Sequence, residues 1–152
     1  MTTETNSPDR ELAASRLRAL ACELRGYLEL CREFLALFTD ENQALRKTQS
    51  WSPEPFNQQR KRLLPRLESG LIKLRSFRQW WERMPAGQRE PCGEIDELFR
   101  DIQSLLPRLL LLDRENQQEM LRRGLIPALQ LPPAASQQPN FVARLYRRHA
   151  AV

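Results

Sequence analysis

Two short polar segments carry the side chains of this chain that are best suited to acid–base chemistry. The sequence Glu-Asn-Gln occurs at residues 41–43 and again at residues 115–117, near the end of a leucine-rich run each time. Their carboxylates could act as a general acid–base pair, but such a pair is usually accompanied by a recognisable catalytic or metal-binding motif. No serine-nucleophile motif and no glycine-rich phosphate loop accompanies either segment. We therefore predict that the protein is not an enzyme.

The sequence offers equally little to a metal ion or a cofactor. The three cysteines, Cys22, Cys31 and Cys92, are odd in number and lack the C-x-x-C spacing of zinc sites. His149 is the only histidine. Since a metal site needs several convergent ligands, we predict no metal, no cofactor and no disulfide framework. Cys31 falls on the apolar face of its helix and is expected to be a small core residue.

Three long amphipathic helices are predicted to position the polar segments. The chain has only 5 glycines, and leucine, arginine, glutamate and glutamine favour helix. Apolar residues recur every three or four positions in residues 9–48, 53–84 and 91–123, with proline-containing turns between the runs. The expected fold is therefore all-α, an antiparallel three-helix hairpin or coiled-coil bundle over residues 8–124.

The regions on either side of this bundle have a different composition. Residues 1–7 are polar and are predicted to be disordered, and they do not resemble a signal peptide. Residues 125–152 contain four prolines and are predicted to form a flexible tail. No run of about 18 uncharged apolar residues occurs, so no transmembrane helix is expected. These features favour a cytoplasmic protein.

Four residues that disturb helices are expected to shape the bundle. Pro65 and Pro107 each stand at the centre of a Leu-Leu-Pro-Arg-Leu segment, where a proline removes a backbone hydrogen bond and should kink the helix. Gly70 lies in the seam of the second helix, where the missing side chain would let a neighbour approach closely. Gly124 is predicted to cap the third helix.

Asn42 and Asn116 occupy positions in the apolar seams of the first and third helices. The predicted third seam consists of Ile95, Leu98, Ile102, Leu105, Leu109, Leu112, Asn116 and Met120. In a three-helix hairpin these two helices run parallel, so both asparagines lie towards the same end. One interpretation is that they meet at the interface and fix its register. The other is that they line a polar notch for a partner, together with Glu41 and Glu115.

The tail combines apolar and basic side chains. The net charge is +5, and residues 120–152 hold five arginines and no acidic residue, so the rest of the chain is neutral. The candidate client-binding residues are Leu125, Ile126, Phe141, Val142, Leu145 and Tyr146. Such a segment is suited to a helical or unfolded protein client. Alternatively, the tail folds back onto its own bundle, or its arginines attract anionic lipid or nucleic acid, an attraction that we expect to be weak.

Four segments resemble the FlgN-type flagellar export chaperones, a family of small cytoplasmic helical hairpins. The segments are CREFLALFTDENQALR at the end of the first helix, QRKRLL at residues 59–64 of the second, LLDRENQQEMLRRG at the end of the third, and LYRR at residues 145–148. The resemblance spans residues 12–148. It implies a chaperone that binds the helical C-terminal segments of hook-filament junction proteins and delivers them to the gate of the type III export apparatus.

Besides weak binding of nucleic acid or an anionic membrane by the basic tail, two functions remain open. The protein is either such a chaperone, with protein clients and no small-molecule substrate, or a structural coiled-coil adaptor without an export role. In the second case an exposed seam closes against another copy, giving a self-associating subunit such as a homodimer. The physical requirement of the chaperone hypothesis is a partly open apolar seam that accepts one more amphipathic helix.

Overall fold

The computed structural model describes residues 7–47 and 51–125, and these residues are almost entirely helical. In chain order the helices are α1 (Ser7–Lys47), α2 (Glu54–Arg83), the one-turn α3 (Ala86–Arg89) and α4 (Gly93–Arg122), with a 3-10 turn at Glu90–Cys92 before α4. The described part contains no strand, so the predicted all-α class is confirmed. Ser7, predicted to be disordered, is the first residue of α1, and Pro91, predicted to begin the third long helix, belongs to the 3-10 turn before it.

The long helices α1 and α4 run parallel, as the hairpin requires. Arg25 in the first half of α1 forms an ion pair with Glu94 at the start of α4, at 2.6 Å. Farther along, Asn42 donates a hydrogen bond to Asn116 at 2.8 Å. Because the residue numbers of the two partners increase together, the helices point in the same direction.

Helix α2 runs antiparallel to both of them. Arg60 near its start contacts Glu41 near the end of α1. Trp81 near its end donates a hydrogen bond from Nε1 to Asp96 at the start of α4, at 2.7 Å. The packing of α1 on α4 is more extensive than the packing of α2 on α1. The fold is therefore a close α1–α4 pair with α2 laid along it.

The core follows the predicted apolar seams along the length of the bundle. Its most completely buried apolar side chains are Leu24, Cys31, Phe34, Phe38, Leu63, Leu67, Ile95, Ile102 and Leu109. Of the adjacent tryptophans, Trp81 is buried and Trp80 half-buried, because neighbours in a helix cannot share one face. Burial raises the pKa of the Cys31 thiol to about 12, which keeps that thiol protonated and unreactive.

The seam of α4 departs from the prediction at one position. Leu112 is half-buried at the edge of the core, whereas Asp113 is buried. The inward face follows Leu109, Asp113, Asn116 and Met120, at steps of four, three and four. Four consecutive leucines precede Asp113, so that stretch of sequence carries no information about which residue faces inward.

The two internal prolines do not interrupt their helices. Pro65 lies within α2 and Pro107 within α4, and both helices are continuous through them. Both prolines are exposed. On the exposed side water can satisfy the carbonyl left without its usual donor, so each helix continues at a modest cost.

Helix α4 ends in a Schellman motif, at the glycine that the sequence indicates. Gly124 has φ 65°, a left-handed conformation that side chains other than glycine adopt at a cost. Its amide donates to the carbonyl of Leu121 at 3.0 Å, and the amide of Leu125 donates to that of Met120 at 2.9 Å. The apolar contact that accompanies this motif is present too, because Leu125 packs on Met120 in a small cluster with Leu45.

Gly70 permits a close approach between α2 and α1, as the sequence predicts. A Cβ atom at Gly70 would lie 2.4 Å from two ring carbons of Tyr27, closer than any real contact. Gly26, the glycine inside α1, has no atom within 4 Å of the same ideal position. Gly70 and Gly26 therefore have opposite surroundings, one filled by an aromatic ring and one open.

We expect Gly70→Ala and Gly26→Ala to change stability in opposite directions. Alanine favours helix over glycine by up to about 1 kcal/mol, which Gly26→Ala should gain. At Gly70 the added methyl group must displace the buried Tyr27 ring, and such overpacking costs roughly 1–3 kcal/mol, more than the gain in propensity. Chemical denaturation of the two full-length variants measures both values. An equal gain at the two positions would show that the Tyr27 ring moves freely.

Candidate functional site

A buried polar cluster lies where the last turns of α1 and α4 meet the first turns of α2. Its members are Glu41 on α1, Arg60 on α2, and Asp113 and Asn116 on α4. Glu41 and Asn116 are fully buried, and Asp113 retains 4 % of its accessible surface. Acidic side chains are almost never buried to this extent without a partner, so the partners decide what the cluster does.

Arg60 joins the two carboxylates. Its Nη1 atom donates to Oε1 of Glu41 at 2.9 Å, and its Nη2 atom donates to Oε2 of the same carboxylate. The Nη2 atom also lies 3.5 Å from Oδ1 of Asp113. The guanidinium carbon is 5.2 Å from the centre of the Phe38 ring, a cation–π distance. One side chain of α2 is thus fastened to both neighbouring helices.

The asparagines of the two repeated segments meet beside this ion pair. Asn42 donates to Oδ1 of Asn116 at 2.8 Å, and Nδ2 of Asn116 donates to the carbonyl of Phe38 at 2.9 Å. The same Nδ2 atom lies 3.3 Å from Oε2 of Glu41. Because a shift of α4 along α1 would break all three contacts, the geometry supports the interpretation that the asparagines fix the register.

The cluster contains more negative than positive charge. Two carboxylates face one guanidinium, and burial raises the pKa of Asp113 to about 6, with a further rise from Glu41 and an opposing contribution from Arg60. Near neutral pH the ionised carboxylate of Asp113 is consequently held in the folded protein at a cost in free energy. The free energy of unfolding of the bundle should therefore depend on the protonation of Asp113.

The described contacts of the cluster are ion pairs, hydrogen bonds and one cation–π contact. Neither a histidine nor a hydroxyl nucleophile takes part in its contacts. Within the described ranges no group of three or more histidine, cysteine, aspartate or glutamate residues is arranged to hold a metal ion. Among the same residues, no helix combines the length and the hydrophobicity of a membrane-spanning segment.

A second feature, on the side of the bundle where α1 and α2 meet, is an open groove. It has a volume of about 560 Å3, and its walls are mostly apolar, with the buried Leu30 and Tyr27 on α1 and the half-buried Leu74 and Phe77 on α2. The α2 wall runs from residue 65 to residue 77, a length of roughly 18 Å at 1.5 Å per residue. This is the length of about three turns of a helix.

Two residues of α1 mark the mouth of this groove. Gly26 lines it and leaves open space where a side chain would stand. Cys22, an exposed residue with a free thiol, also lines the groove. Deeper in the wall, the buried hydroxyl of Tyr27 has no hydrogen-bond partner among the described residues. Burial, with a smaller contribution from Cys31, raises the pKa of this hydroxyl, so it remains a hydrogen-bond donor.

The residues chosen from sequence as client-binding lie mostly beyond the described part of the chain. Ile126, Phe141, Val142, Leu145 and Tyr146 fall outside residues 7–47 and 51–125. Leu125 falls inside, is half-buried and packs with Leu45, Trp51 and Met120.

Several of the site residues were not singled out from the sequence. Arg60 appears there as one of several basic residues, and Asp113 as the end of a leucine run. The signal for Asp113 is its spacing, four residues after Leu109 and three before Asn116, which places it on the inward face. Tyr27 is one of the apolar side chains that recur along α1, but no pattern in the sequence indicates that its ring lies over Gly70.

Comparisons of this chain with protein-family models, with curated proteins and with solved structures found no match.

Proposed function

We propose that this protein is a cytoplasmic export chaperone that binds the helical C-terminal segments of flagellar hook-filament junction proteins and delivers them to the type III export apparatus. The observation that carries the proposal is the open apolar groove between α1 and α2. The four segments that resemble FlgN-type chaperones point to the class of client. The groove supplies a place where an amphipathic helix of that client can lie.

The groove can hold one more helix in the same way that the helices of the bundle pack on each other. Helices in this fold bury an apolar stripe between two neighbours, and the groove presents such a pair of neighbours with an unfilled space between them. A bound helix of about three turns would bury its apolar face there, as in other helix-in-groove complexes. The tail residues Phe141 and Tyr146 are proposed to contribute further contacts to the client.

The test is binding of a junction protein's C-terminal peptide to the full-length chain, measured by fluorescence anisotropy. Gly26→Phe should weaken binding at least tenfold, since the ring would occupy the mouth of the groove, where the backbone leaves room for it. Gly26→Ala is the matched control and should bind like the parent. Phe141→Ser and Tyr146→Ser should each weaken binding if the tail takes part, and unchanged affinity in both would remove the tail from the proposal.

A second candidate, a self-associating structural subunit, is favoured by one observation. Leu12, Ile72, Leu111 and Leu121 are large apolar residues with at least 37 % of their surface exposed. A second copy could cover them, together with the groove. Sedimentation equilibrium separates the two functions, because a stable dimer at micromolar concentration that excludes the peptide supports the structural subunit.

A further inference from the structure

We infer that the helix bound in the α1–α2 groove carries acidic side chains along the flank that faces α2, an inference that rests on the proposed function. The groove alone requires only an apolar face on the bound helix. The charges along the two walls of the groove also determine which charges are favourable on the polar flanks of the bound helix, which is called the guest below.

Helix α2 is the basic helix of the bundle. It carries eight arginine or lysine residues and three acidic ones, whereas α4 carries four basic and seven acidic residues. None of the acids of α2, which are Glu54, Glu68 and Glu82, lines the groove. An approaching helix therefore meets a positive potential from α2, and such a potential selects and orients charged partners.

Two of these cations stand at the groove itself. Arg66 and Lys73 both line it and are seven residues apart, so they share one face of α2 at a separation of roughly 10 Å along its axis. Arg66 has a loose ion pair with Glu33 at 3.9 Å, in which both side chains remain about half exposed. Lys73 has no ion pair or hydrogen bond within the described ranges. Lys73 is thus unpaired within those ranges, and Arg66 can exchange its loose, exposed pair with Glu33 for a pair with a carboxylate of the bound helix.

The α1 wall of the groove carries a negative charge. Glu23 on α1 lines the groove, and Gly26 and Leu30 continue the same face without charge. A guest with acids on both flanks would meet repulsion at Glu23, while a guest with acids on the α2 side alone would not. Acidic residues at positions i and i+7 of the guest match the spacing of Arg66 and Lys73.

Three synthetic helical peptides test this inference with the full-length protein. They share one apolar face and differ at positions i and i+7 of one flank, which hold glutamate, glutamine or lysine. Two exposed ion pairs predict that the glutamate peptide binds roughly five- to thirtyfold more tightly than the lysine peptide, with the glutamine peptide between them. The difference should shrink at 0.5 M salt because screening weakens exposed pairs.

Variants of the protein assign the effect to the two cations. In Arg66→Gln/Lys73→Gln the three peptides should bind alike, with an affinity near that of the glutamine peptide for the parent protein. Arg18→Gln/Arg108→Gln removes two exposed arginines that do not line the groove and should keep the preference. Cys22 reports occupancy, because bound peptide should slow its alkylation, while the fully buried Cys31 stays unmodified throughout.

The outcomes separate this inference from the proposed function. Equal binding of the three peptides, still blocked by Gly26→Phe, would overturn the inference and leave the groove as a helix-binding site. Tighter binding of the lysine peptide, or a preference that persists in Arg66→Gln/Lys73→Gln, would also overturn it. Failure of every peptide to bind or to protect Cys22, together with failure of the junction-protein peptide, would overturn both.

Discussion

Replacing Arg60 by alanine is expected to lower the free energy of unfolding at pH 7 by about 3–5 kcal/mol. The guanidinium is the positive partner of Glu41, which is fully buried, and it also contacts Asp113. Without it, two carboxylates remain in the interior with no opposite charge, or they must take up protons. Urea denaturation of the full-length variant measures the loss.

The neighbouring Arg62 provides the matched control for this prediction. It is exposed, and Arg62→Ala should change the unfolding free energy by less than about 0.5 kcal/mol. Replacing the whole charged set, as Glu41→Leu/Arg60→Met/Asp113→Leu, should recover most of the loss, because a well-packed apolar replacement needs no desolvation of charge. A loss below 1 kcal/mol for Arg60→Ala would mean that water reaches the carboxylates and replaces the guanidinium.

Asp113→Asn is expected to stabilise the protein at neutral pH, and to do so less as the pH falls. The pKa of Asp113 is raised from 3.8 to about 6 in the folded state, so the folded protein binds a proton more tightly than the unfolded chain. The stability that Asp113 contributes is therefore fully present below pH 3.8 and is lost as the pH rises through 6. The difference between the two pKa values corresponds to about 3 kcal/mol in the free energy of unfolding.

The measurement is the unfolding free energy of the parent and of Asp113→Asn from pH 4 to pH 8. The two curves should nearly coincide at pH 4 and separate progressively up to about pH 7, with the asparagine variant the more stable. Glu115→Gln, an exposed residue two positions away, serves as the control and should follow the parent curve. A constant difference across the whole range would contradict a titration of Asp113.

The helices of this protein could be predicted from the sequence because their signals are local. The period of the leucines, the prolines at the turns and Gly124 at the end of α4 all act within a few residues. The predicted boundaries therefore fall close to those of α1, α2 and α4. The up-down-up topology follows as well, since short connections between long helices make neighbours antiparallel.

The polar cluster could be predicted only in part. Asn42 and Asn116 stand out because each interrupts an apolar seam at a seam position. Arg60 does not, since its partner Glu41 is on another helix and their meeting depends on how far α2 is shifted along α1. That shift is set by packing contacts such as the Tyr27 ring over Gly70, which no periodicity in the sequence encodes.

The groove could not be predicted for a related reason. It exists because α2 packs less extensively on α1 than α4 does, and helix separation depends on which side chains interdigitate. The sequence indicates that an apolar seam is wide, but not that part of it remains uncovered. The residues predicted to bind a client belong mostly to the tail, and that prediction awaits the binding experiments described above.

The sharing of one guanidinium by two carboxylates has a consequence for how this chain can change over generations. We expect loss of Arg60 to be harmful while both acids remain, and loss of Asp113 to be tolerated as long as Glu41 keeps its partner. We expect natural variants to lose the aspartate first, and to replace the other two positions only together. The ion pair thus constrains the order in which these three positions mutate. Sequences that differ here should rarely keep both acids without the arginine.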